Sequence, residues 1–355
     1  MEEITNIDYS PYSPYKQSKY IICYLKQMVT NAVIFTGALR TIKKTIKYFK
    51  ENVLEASINN NINVDIFMCI QNDSSQSEED WNVWFTEQMG DHIVSVEWFS
   101  LEKHPEWITH RETQLKHINI DNAWKNYLRS SGSMIEYFQL QLAYMAMCQH
   151  EQVKNIKYEY VVRARTDSIY AKPVDFHWLN WTEEQVTERM ASVKRELESS
   201  GIETTPKNLV MYFMCTIVSD DTIPNSKNIL ADFCPNITDS ILSNMDTLYD
   251  YIRNGRYILT FRKNNLYIVK RSLFHLIPTL GTMYGFMRSP IADDYWFNAE
   301  GQFRDACYYS CVSIFDYNTL LEDKSVLSAN VWNETDFFNG DLLVNPYMVY
   351  CVVRK

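Results

Sequence analysis

Three short apolar runs, AVIFTG (32–37), NVDIFMCI (63–70) and HIVSVEWF (92–99), are separated by stretches whose apolar residues recur at helical spacing. Each run is too short for a helix of ordinary length and too continuously apolar for a strand with one wet face. Each therefore predicts a strand covered on both sides. Between the first two, ALRTIKKTIKYFKENVLEA puts Ile42, Ile46, Phe49 and Leu54 on one helical face. Between the second and third, the polar loop QNDSSQSEED leads into a helix over WNVWFTEQM. Strand, helix, strand, helix, strand implies a parallel sheet with helices on both faces.

The pattern continues less regularly. Residues 103–132 read as an insertion with one or two short helices. SSGS (130–133) then caps a helix whose apolar stripe is Ile135, Phe138, Leu142, Met145 and Cys148. YEYVVRARTDSIYAKP (158–173) contains the next strand. TEEQVTERMASVKRELESSG (182–201) opens on Thr182 with Gln185 three residues on, a capping-box pattern. LVMYFMCTIV (209–218) reads as a further buried strand, and ITDSILSNMDTLYDYIRNG (237–255) as a helix ending at Gly255. Residues 256–271 suit a hairpin around Lys263-Asn264-Asn265, 292–310 a helix, and VSIFDY (312–317) a strand. There is no internal repeat and no linker long enough to separate a pair of domains. The expectation is one large α/β domain with a Rossmann-like, mostly parallel sheet flanked by helices. Residues 1–25 are expected to form an N-terminal arm, 26–180 one half of the domain and 181–355 the other.

Charge and cysteine usage narrow the functional classes. With 34 Lys and Arg against 44 Asp and Glu, the net charge of −10 argues against a general nucleic-acid binder, which needs a positive footprint. It leaves room for a local basic pocket. No run of 18 apolar residues is present, so no membrane span is expected. The eight Cys form no CxxC pair, which suits reduced thiols and a cytoplasmic location.

Four constellations could carry chemistry. In VVRARTD, alternation along a strand projects Arg163, Arg165 and Asp167 on one side, at the carboxyl end of an expected central strand. Ligands of open α/β sheets gather beyond that end. Two guanidinium groups and a carboxylate there fit a diphosphate, with or without Mg²⁺ or Mn²⁺. They equally fit an internal Arg–Asp ion pair that fixes the loop. In FTGALRT, a strand, a small turn around Thr36 and Gly37, and a helix start with Arg40 offer backbone N–H groups to an anion. A plain strand–helix turn is the other reading. Gln71, Asn72 and Asp73 end the second apolar run and could read a base or ribose, or form an exposed turn. Asp239, Asp293, Asp294 and Glu300 could supply a general base, or cap helices. GKS/T, GxGxxG, HExxH and GxSxG are all absent, so a phosphate-binding P-loop, a dinucleotide fold, a zinc hydrolase and a serine hydrolase lack support.

Taken in order, AVIFTGALRT, VDIFMCIQND, YFQLQLAYMAMCQHE and YEYVVRARTDSIY resemble the nucleotide-sugar glycosyltransferases of the GT-A type. The likeness is nearest to transferases of giant double-stranded DNA viruses (mimivirus-like) and of bacterial polysaccharide synthesis. It spans residues 30–175, and more loosely TDSILSNMDTLYDYI, DYWFNAEGQF and FDY at 315–317. The resemblance implies a GT-A-like fold and a nucleotide-sugar donor, UDP-linked, with a glycan or protein-linked acceptor. The donor would lie over Thr36, Gly37 and Arg40, with Asn72 and Asp73 near the base. Where the family carries a metal-holding DxD, this chain has Arg165-Thr166-Asp167. A Mn²⁺ or Mg²⁺ held by Asp167 would need waters and the diphosphate to complete its shell, and Arg163 and Arg165 could take over some of its role. The only later His available as a further ligand, His275, has an apolar context that reads as core. As the base in an inverting reaction, Glu300, Asp294 and Asp239 are the candidates, in that order. A non-catalytic nucleotide- or carbohydrate-binding virion protein on the same fold is the alternative. A nucleotidyltransferase is the third reading, and it would need more than the one Gly of FTGALRT.

Overall fold

The structure, a computed structural model, describes residues 29–106, 108–109, 112, 132–170, 173, 181–216, 229–232, 244–261, 266–278, 303–304, 307–308, 310–317, 331–333 and 350–354. The expected N-terminal arm, most of the insertion at 103–132, and most of 292–310 lie outside the described residues.

The first half follows the apolar runs. β1 (Val29–Ala38) leads to α1 (Ile42–Phe49), which continues through a wider π turn over Lys50–Glu55 into α2 (Ala56–Asn59). β2 (Ile62–Gln71), α3 (Glu78–Met89) and β3 (Ile93–Phe99) follow. α4 (Gly132–Lys154) then returns the chain to β4 (Tyr160–Arg165). β1, β2, β3 and β4 are all parallel, in spatial order β3-β2-β1-β4. β1 is buried on both faces. Val33 and Phe35 pack into the core beneath α1, while Ala32 and Ile34 pack into the second core with α4. Side chains of this kind contribute about 1.5–3 kcal/mol each when fully buried, which explains why the central strands show no polar alternation.

After a short turn, β5 (Ser168–Tyr170) leaves the main sheet. α5 (Glu183–Ser199) begins with the expected capping box: Gln185 N–H donates to the Thr182 hydroxyl at 3.3 Å, and Thr182 N–H to the Gln185 side chain at 2.9 Å. Thr182→Ala should lower stability by about 1 kcal/mol, read as a shift in the urea midpoint at unchanged slope. The apolar run at 209–218 is described only to Thr216, and that part is not a strand. Pro206–Thr216 is a helix, α6, introduced by Thr205, whose hydroxyl accepts from Asn208 N–H at 3.2 Å. An unbroken apolar run fits a buried helix as well as a buried strand, and here Thr205 and Pro206 decide in favour of the helix.

β6 (Ile229–Asp232), α7 (Met245–Asn254), β7 (Tyr257–Phe261), β8 (Leu266–Lys270), α8 (Arg271–Phe274) and β9 (Ser313–Tyr317) complete the larger sheet. β7 and β8 form the expected hairpin, and α7 stops at Gly255. β8 lies antiparallel beside β4, giving one eight-stranded sheet in the order β3-β2-β1-β4-β8-β7-β9-β6. It is a mostly parallel α/β sheet flanked by helices, with strands from both halves of the chain. β10 (Val331–Asn333) and β11 (Tyr350–Arg354) join β5 in a separate three-stranded sheet. No helix among the described residues is long and apolar enough to cross a membrane.

α4 differs from its expected stripe. The residues turned fully inward are Tyr137, Phe138, Gln139, Leu140, Ala143 and Met147, while Met145 is exposed. In this rotation Glu136 and Gln139 reach the ends of β4 and β1.

Candidate functional site

Strand order 3-2-1-4 contains a reversal. From β1 the chain winds outward to β3, then crosses back to β4 on the other flank of β1. The strand order thus reverses between the carboxyl ends of β1 and β4, the usual ligand position in doubly wound sheets, and here the two ends stay in register and close together. Thr36 pairs in register with Arg165, so the two sequence-predicted clusters meet at this point.

The turn after β4 is tied down by three bonds. Thr166 N–H donates to Thr36 O at 3.2 Å, and the Thr166 hydroxyl donates to Ala38 O at 2.7 Å. The Thr45 hydroxyl of α1 donates to Thr166 O at 2.7 Å. Gly37 permits this closeness: its φ is +142°, and a Cβ there would lie 2.3 Å from Thr166 Oγ1. Gln139 of α4 reaches the Gly37 carbonyl at 3.5 Å.

Arg163 and Arg165 share one face of β4, as strand alternation requires, and both reach Glu136 of α4, while Asp167 lies in the turn just beyond the strand. Arg163 is 1 % exposed, and its Nη2 donates to Glu136 Oε1 at 2.7 Å. Glu136 Oε2 lies 3.5 Å from Arg165 Nη1. Arg165 grips Asp167 at two points, Nε to Oδ1 at 2.8 Å and Nη2 to Oδ2 at 2.9 Å. Two cations and two carboxylates therefore alternate along one chain of contacts. Around Arg163 the medium is poorly polarisable: burial is the main cause pushing the Tyr137 and Tyr267 phenols up from their ordinary values. The Tyr267 side chain, opposite Arg163 in register, stacks on Phe303 at 5.3 Å.

Arg40 and Asp73 also come together, though on the surface. Asp73 accepts from Arg40 N–H at 3.2 Å, and the side chains approach to 3.9 Å. An exposed pair of this kind adds little stability. Asn72 closes its own turn, accepting from Ser74 N–H at 3.0 Å and donating to Gln76 O at 2.9 Å. His275, expected as core, is exposed, because it follows the short helix α8 at the sheet rim. Glu300, Asp294 and Asp239 lie outside the described residues, as does Asp293. Both Asp167 oxygens are engaged by Arg165, and among the described residues no three His, Cys, Asp or Glu side chains converge to hold a cation. The described donor set thus does not fit a preformed metal site. Cys69 is a buried thiol whose pKa burial pushes well up, so it is not a nucleophile.

Glu136 is the site residue that sequence reasoning missed. The available signal was topological: a crossover helix returning to β4 must start above the carboxyl edge, so an acid near its start, such as Glu136 in its second turn, lies close to that edge.

No protein-family model matches the chain, and no curated protein does. Among solved structures it is similar to the mannosyltransferase Ktr4p of S. cerevisiae in complex with GDP, at 12% identity and a TM-score of 0.25. That similarity covers 79% of this chain but 63% of the yeast chain, less than two thirds of its length. A likeness this distant says nothing of the chemistry at the strand-order reversal.

Proposed function

We propose that the chain is a glycosyltransferase that moves a sugar from a nucleotide-sugar donor, UDP-linked, to a glycan or protein-linked acceptor in the cytoplasm. The observation that supports it is the meeting of Gly37, Arg165 and Asp167 at the strand-order reversal, where a guanidinium fork stands at the rim of the sheet. Transfer breaks the bond between the anomeric carbon and the diphosphate oxygen, and the electron pair stays on the diphosphate. The acceptor oxygen bonds that carbon and gives up its proton. A preorganised cation at the developing charge speeds the step. In this reading Arg165 supplies it, with Arg40 at the neighbouring turn. In an inverting reaction Glu300, Asp294 or Asp239 takes the proton.

The test is a panel of UDP- and GDP-linked sugars, each with Mn²⁺, with Mg²⁺ and with EDTA, monitored by nucleotide release. Release from one donor class supports the reading, and the three arms measure its metal dependence. No release from any donor refutes it. A second reading, a non-catalytic binding protein on this fold, is favoured by the engagement of both Asp167 oxygens. Its mark is a melting temperature raised by UDP without any sugar moved.

A further inference from the structure

The grip of Arg165 on Asp167 has the form in which a guanidinium takes two oxygens of a phosphate. Of the two arginines, only Arg165 can meet a ligand. Arg163 is 1 % exposed and held by Glu136, whereas the Arg165 side chain keeps 17% of its surface exposed. The backbone beneath is fixed, since Thr166 is bonded to β1 and α1 by the three contacts above. The fork is already filled: Asp167 of the same turn takes Nε and Nη2, and Glu136 of α4 stands 3.5 Å from Nη1.

We propose that the Arg165 guanidinium is a binding site for a phosphate or diphosphate group, and that Asp167 is its built-in competitor. Ligand and Asp167 carboxylate take the same fork, and one excludes the other. This assignment rests on the donor-site reading and reverses the sign expected of Asp167. A carboxylate that holds a metal strengthens diphosphate binding; one that occupies the arginine weakens it.

The experiment is calorimetric titration of the full chain with inorganic pyrophosphate in EDTA, for wild type, Asp167→Asn and Arg165→Gln. With the Asp167 charge removed and Glu136 still 3.5 Å from Nη1, Arg165 in Asp167→Asn should bind pyrophosphate about tenfold tighter than in wild type. Arg165→Gln should abolish binding. Circular dichroism checks the fold, and Asp167→Ser serves if the Asn variant does not fold. Unchanged or weaker binding in the Asp167 variants overturns the proposal. If wild type then still releases nucleotide from a sugar donor, the glycosyltransferase reading stands without it. If neither pyrophosphate nor UDP binds any variant, the donor site itself is refuted, and the competitor with it.

Discussion

Arg165→Ala is expected to lower sugar-transfer turnover by about 10²–10³, the typical loss when one preorganised group at a developing charge is removed. The neighbouring cation cannot substitute. Arg163 is sequestered behind Glu136, and its guanidinium is engaged there at 2.7 Å. Arg165→Lys separates charge from geometry. Lysine restores the positive charge but not the planar fork, so it should recover only a fraction of the lost rate. The substitution also leaves Asp167, 5% exposed, without its closest cation, so some stability will go too. Turnover must therefore be measured well below the melting point of the variant. Wild-type turnover in Arg165→Ala would show that the ion pair merely fixes the loop.

Gly37→Ala should cost about 3 kcal/mol. Two effects combine. At a φ of +142° an L side chain is strained, a cost of about 1–3 kcal/mol. Its methyl would also lie 2.3 Å from Thr166 Oγ1, and overpacking of this kind costs about 1–3 kcal/mol where the neighbour cannot move freely. Thr166 is anchored on three sides, so it cannot. Thr166→Ala removes the obstructing hydroxyl but not the dihedral strain. The double variant should thus be less destabilised than the sum of the two singles, a coupling that chemical denaturation can read. A Gly37→Ala protein that unfolds with the wild type would mean that β1 and the turn after β4 do not approach this closely.

The central strands were legible because burial on both faces leaves a signature in the sequence itself. Ile66 through Ile70 are all buried, and all read as one apolar run. Sequence put both clusters at strand ends, but that Thr36 lies opposite Arg165 follows from the strand order, which no local pattern encodes. Residues 206–216 were not legible from apolarity, because the unbroken run LVMYFMC shows no polar positions to mark a helical period; only Thr205 and Pro206 marked it. α4 was legible in part. Of its expected stripe Phe138 is buried and Ile135 and Leu142 pack against the core, but Met145 is exposed and the most buried face runs instead through Tyr137, Leu140, Ala143 and Met147. Glu136 itself lies 27 residues before its partner, and nothing local to either residue announces the pairing.

β5 begins one residue beyond Asp167 and is held by β11, with Ser168 opposite Val352. During translation, the Arg165–Asp167 turn therefore leaves the ribosome long before the strand that braces its outer flank has been made. The nascent chain can assemble the reversal of β1 and β4 early, but the turn acquires its second support only when residues 350–354 arrive. An affinity tag fused to that strand would sit beside the fork, whereas a tag placed ahead of β1 leaves this brace untouched.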